Sequence, residues 1–146
     1  MAERDPRCIG RVRHVRGATV TVELDEALAG VTPLWEGRIL PIGQVGSLVE
    51  IPQGTVKLLA SVTLVGIAEL SGILEPSSAV QVGDRWLQVQ LLGEVDGLGK
   101  FHRGVSTYPG LDDPVNFVTP AGLRSVFPSP DAEHVFLGAL ASAPDV

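Results

Sequence analysis

With 146 residues, 45% of them hydrophobic, the chain is long enough to bury one core and reads as a single domain over 1–146. A net charge of −6, from 17 Asp and Glu against 11 Lys and Arg, argues against a whole surface that grips DNA, where phosphate neutralisation supplies most affinity. No apolar run approaches the ~20 residues of a membrane helix, the charged start MAERDPRCIG lacks a secretory h-region, and the lone Cys8 cannot close an internal disulfide; the expectation is a cytoplasmic protein with no membrane partner. The charge is uneven. Residues 1–17 hold Arg4, Arg7, Arg11, Arg13 and Arg16 against Glu3 and Asp5, a local excess of +3.

IGRVRHVRG runs into ATVTVELDE, where Ala18, Val20, Val22 and Leu24 alternate with Thr19, Thr21 and Glu23. Period 2 with β-branched residues predicts a strand, and Arg16-Gly17 between the two runs predicts a hairpin. From Glu26 to Gly46 the chain is broken by Gly30, Pro33, Gly37, Pro41 and Gly43, which reads as a long loop with one extended piece at 38–40. GSLVEIPQG predicts a strand ended by Pro52 and Gly54. TVKLLASVTLVGIAEL then puts Val56, Leu58, Ala60, Val62 and Leu64 on one face, with Lys57, Ser61 and Thr63 opposite. Its end near 64–67 is apolar on both faces, as in a doubly covered strand, and Gly66 offers a bend or bulge.

RWLQVQLLGE alternates Leu87, Val89 and Leu91 with Trp86, Gln88 and Gln90. Tyr108-Pro109-Gly110 and Asp113-Pro114 read as turns, and VNFV as a short strand. Thr119 and Pro120 fit the N-cap and first position of a short helix, TPAGLRSVF, stopped by Pro128 and Pro130. HVFLGAL reads as a last strand. Six or seven short strands, one helix and abundant turns predict an all-β, small, closed or partly closed barrel.

Few motifs carry chemistry. GEVDGLGKF suggests a phosphate loop, but Gly93 lies six residues before Gly99, Phe101 occupies the hydroxyl position and no helix follows, so it reads as a turn. His14, His102 and His134 lack neighbours at metal-ligand spacing. Cys8 reads as a buried inert thiol, Asp25-Glu26 and Asp112-Asp113 as solvated turn residues, and Ser106 has no nucleophile elbow around it. No catalytic, cofactor or metal residue is expected. Arg11, Arg13 and Arg16 with His14 form the one basic cluster, either a solvated edge strand or a contact with nucleic acid or an acidic neighbour. Trp35, in a Gly/Pro-bounded loop, is either a partner-facing anchor or folded back on the barrel.

IGRVRHVRGATVTVELDE, GSLVEIPQGTVKLLASVTLV and GKFHRGVSTYPGLDDPVNFVT together resemble the N-terminal barrel (the HAS, or HerA–ATP synthase, barrel) of HerA-like hexameric ATPases. HVFLGALASAPDV is similar to the segment that leads into the family's ATPase core. The most specific part is F-x-R-G-x-x-x-Y-P at Phe101, Arg103, Gly104, Tyr108 and Pro109. The resemblance implies a non-catalytic barrel of a DNA translocase or helicase. Such a barrel joins its copies in a hexamer and docks a NurA-like nuclease in DNA end resection and repair, with relatives in anti-phage defence. DNA would be met through the full assembly. ATP and Mg²⁺ would belong to the core, whose Walker residues have no matching position here, so the chain is expected to be a barrel separated from that core. Trp35, Leu98, Phe101 and Arg103 are then candidates for the partner or subunit interface, and Arg11, Arg13 and Arg16 for a basic edge. The alternative is a stand-alone nucleic-acid-binding barrel of the OB type.

Overall fold

The computed structural model describes residues 5–26, 34–39, 43–67 and 85–127. β1 (Cys8–Arg16) and β2 (Thr19–Leu24) form the expected hairpin, with Gly17 at φ 58° on the first turn position, a conformation that costs glycine little. Strict alternation along β1 would aim His14 inward. The register instead shifts between Val12 and His14, so Val12 and Val15, three apart, both face the core and Arg13 becomes the extra residue of a bulge. β1 and β2 approach closely below it, where a side chain on Gly10 would collide with the Glu23 carbonyl.

β3 (Leu34–Trp35) and β4 (Arg38–Ile39) make a separate two-stranded hairpin, of which the sequence shows only the second strand. β5 (Leu48–Gln53) and β6 (Val56–Ile67) form a second hairpin, followed by β7 (Arg85–Val95), β8 (Phe101–Arg103) and β9 (Pro114–Phe117). Pro52 lies inside β5 rather than ending it. It stands beyond Glu50, the last β5 residue that β9 pairs, where its missing N–H breaks no ladder. The sheet runs β2-β1-β9-β5-β6-β7-β8, and β2 also pairs with β7. Six antiparallel strands therefore close into a barrel, and β8 is an added strand on the free end of β7.

The core inside is aliphatic apart from Phe117: Ile9, Val20, Val22, Ile51, Leu58 and Leu87 are essentially inaccessible. Each such side chain is worth ~1.5–3 kcal/mol relative to exposure. A smaller cluster sits outside the wall. Leu59, next to inward-facing Leu58 and Ala60, points the other way and meets Val118 and Leu123 of α1 (Pro120–Val126). The helix starts as expected, with the Gly122 N–H donating to Thr119 Oγ1 at 3.1 Å.

Two expectations for β6 fail for one reason. A register shift between Val62 and Leu64 inserts Thr63, so Leu64 pairs with outward Gln88 and is 41% exposed, with Val65 45% exposed beside it. The strand end is thus not covered on both sides. Gly66 is no bulge; it leaves room for the Trp86 ring, which a Cβ would approach to 2.8 Å. HVFLGAL, Pro128 and Pro130 lie outside the described residues.

Candidate functional site

The stretch from Glu94 to Asp113 joins the added strand to the barrel, and carboxylates fix it almost everywhere. GEVDGLGKF is the β7–β8 turn, as expected. The Asp96 N–H donates to the Lys100 carbonyl at 3.0 Å, and Asp96 Oδ1 accepts the N–H groups of Leu98 and Lys100, both at 2.9 Å. His102 Nε2 lies 2.8 Å from Asp96 Oδ2. This ring, with the two backbone donors, holds the Asp96 carboxyl below its ordinary range. The result is a turn of fixed shape around Leu98, which is 95% exposed.

The next loop is held the same way. Glu94 accepts the Ser106 N–H, the Ser106 hydroxyl at 2.9 Å and the Thr107 N–H at 3.1 Å, and these donors lower its carboxyl from the usual range, the Ser106 N–H most. Asp113 accepts the Gly110 N–H at 2.7 Å and a Gln53 amide N–H. Asp112, at φ 66°, donates its N–H to the Val12 carbonyl and receives Arg13 on its carboxylate and Arg11 on its carbonyl, the latter at 2.9 Å. The loop so fastened carries Tyr108 and Leu111, 54% and 69% exposed.

The basic edge is largely committed within the chain. Arg13, the bulge residue of β1, bonds Glu23 at 2.5 Å as well as Asp112. Arg16 closes the hairpin opposite Thr19. Beside Arg11 and Arg13 lies a cleft of about 280 Å³ that Glu23, Asp25 and Glu26 also line. A groove of mixed sign does not offer the concentrated positive charge that a nucleic-acid backbone requires.

Of the four candidate contact residues, Leu98 and Arg103 are exposed. Phe101 is half-buried: it joins the outer cluster of Leu59, Val118 and Leu123, and its ring fills the space left by Gly93. Trp35 pairs with Arg38 in the small hairpin, and its side chain lies outside what is described. The structure thus brings Leu98, Phe101 and Arg103 onto one hairpin. Glu94, Asp96 and Leu111 were not picked out from sequence, and Tyr108 only as part of the Y-P motif and its turn, although an Asp two residues before an exposed turn is a recurrent capping signal. Cys8 is buried, as expected, and its thiol donates to the Gly10 carbonyl at 3.5 Å. His14 and His102 lie on different strands, His134 lies outside the described residues, and among the described residues no group of three His, Cys, Asp or Glu is placed to hold a metal ion. Among the same residues no helix is long and apolar enough to cross a membrane. In comparison with known proteins, no family model matches the chain and no curated protein sequence does.

Proposed function

We propose that the chain is a non-catalytic assembly and docking barrel, of the kind that HerA-like DNA translocases carry ahead of their ATPase core. The observation that carries the reading is the β7–β8 turn. Five hydrogen bonds or ion contacts converge on Asp96 and its neighbours, and they hold a leucine whose side chain is almost fully exposed. An apolar anchor pre-shaped in this way loses little entropy on binding. In a hexamer, six copies of such a tip act together, and weak single contacts add into firm capture. The partners in this reading are further copies of the parent protein and a NurA-like nuclease, in the cytoplasm, with DNA reached through the assembly during end resection. The commitment of Arg11 and Arg13 to Glu23 and Asp112 disfavours an OB-type DNA-binding barrel.

The test is to mix the chain with its co-encoded nuclease and measure the mass of the complex by light scattering. A complex is expected for the native chain and loss of it, by tenfold or more in affinity, for Leu98→Asp. The exposed site predicts that this variant keeps the native melting temperature. No complex with the native chain, or an undiminished one with Leu98→Asp, would overturn the reading.

A further inference from the structure

β9 sends Val115 and Phe117 into the core, so Asn116 between them faces outward, opposite Cys8 on β1 and Glu50 on β5. This outer row is nevertheless dry: Asn116 is 1% exposed, and Cys8 and Glu50 are 7% each. A carboxylate out of water needs cations and donors. They come largely from the turn that precedes β1. Arg7 Nη1 donates to Glu50 Oε1 at 2.7 Å and Nη2 to Asp5 Oδ2 at 2.7 Å, while Asn116 Nδ2 donates to Asp5 Oδ2 at 3.3 Å. Lys57 Nζ approaches the other Glu50 oxygen at 3.6 Å. Two backbone bonds complete the attachment, Phe117 N–H to the Arg7 carbonyl and Cys8 N–H to the Asp5 carbonyl.

What this turn covers differs from what the wall encloses. Lifting residues 5–7 returns Asp5, Arg7, Glu50 and Asn116 to water, where every lost bond is replaced. It also hydrates Asn116 Oδ1, which has no partner among the described residues. The aliphatic core lies on the other side of the wall and is untouched. Openings that expose polar groups and spare the core sit at the low end of the local-unfolding scale. The ion pairs involved are partly exposed, with Arg7 and Asp5 side chains at 25% and 36%, so salt reaches them.

We propose that the segment Asp5–Arg7 is a latch that opens and closes on the intact barrel, alternately covering and uncovering the row of Cys8, Asn116 and Glu50. The latch would couple access to one patch of barrel wall to ionic strength and to anything that competes for the Arg7 guanidinium.

Cys8 is the only cysteine in the chain, so its reaction with an aromatic disulfide reagent reports opening of the row. The expected rate is flat across urea concentrations below the unfolding transition and rises several-fold between about 0.05 and about 0.5 M NaCl. In Arg7→Ala it rises roughly tenfold, the effect of losing a charged hydrogen bond, while the far-UV spectrum and urea midpoint stay native. Labelling that climbs with urea along the global unfolding curve, or that is unchanged in Arg7→Ala, would sink the idea. Should Arg7→Ala not fold, Arg7→Lys, which keeps the charge and loses the fork, takes its place with the same two outcomes, and the urea dependence of the native chain decides on its own.

Discussion

The barrel interior and the rim from Glu94 to Asp113 are held by different physics. Inside, Ile9, Val12, Val22, Ile51, Leu58 and Leu87 exclude water from a closed wall and use no charge at all. On the rim, Glu94, Asp96, Asp112 and Asp113 gather backbone N–H groups, hydroxyls, a histidine and two arginines. Burial gives stability without regard to direction, whereas charged hydrogen bonds fix a shape. The protein puts the first where it must stay folded and the second where it presents a surface.

Substitutions should separate the two regions. The largest effect is expected from Leu87→Ala, in the seam where β2 and β6 flank β7: about 2–5 kcal/mol in urea unfolding, independent of salt. A loss under ~1 kcal/mol would mean that the interior is not the main source of stability. Arg13→Ala is expected to cost less, about 0.5–1 kcal/mol, and the cost should shrink as salt is raised, because its partners Glu23 and Asp112 are partly or mostly exposed. A salt-independent cost would place Arg13 with the interior. Acid should have the smallest effect, on the rim rather than on the barrel interior. Glu94 and Asp96 have carboxyls lowered in the folded chain, so their contribution is intact above the ordinary carboxylate range and is lost as pH falls through the lowered values. Amide exchange at Leu98, Lys100, Ser106 and Thr107 should therefore quicken beyond its intrinsic pH trend below about pH 4, while core amides such as Val22 and Val89 stay protected. Loosening already at pH 6 would contradict this.

Local pattern made the N-terminal hairpin and α1 legible. ATVTVELDE alternates without a fault, Gly17 sits at the turn, and Thr119-Pro120 announces the helix. Failures cluster where the register slips. Thr63 and Arg13 are bulge residues, and period 2 cannot see an inserted residue, so Leu64 was expected inside the wall. In hindsight the three-residue spacing of Ile9, Val12 and Val15 signals the slip in β1. β8 was hidden because Phe101–Arg103 is three residues long and belongs to a sheet only through β7. The candidate interaction surface was partly legible, since Leu98 lies in a recognisable turn. The fate of the arginines was not: Arg13 meets Asp112 from 99 residues away, and Arg7 meets Glu50 from 43. Only the closed wall brings them together.

The way the ring is sealed also sets a timetable. β1 and β2 can pair as soon as they are made, yet β1 takes its other neighbour from residues 114–116 and β2 takes its own from 86–90. During synthesis the first hairpin must wait with two bare edges until some hundred further residues have emerged, and loop closures of that length make maturation slow. The polar side chains along the outer face of β1, Arg11, His14 and Arg16, disfavour wrong neighbours in the interval.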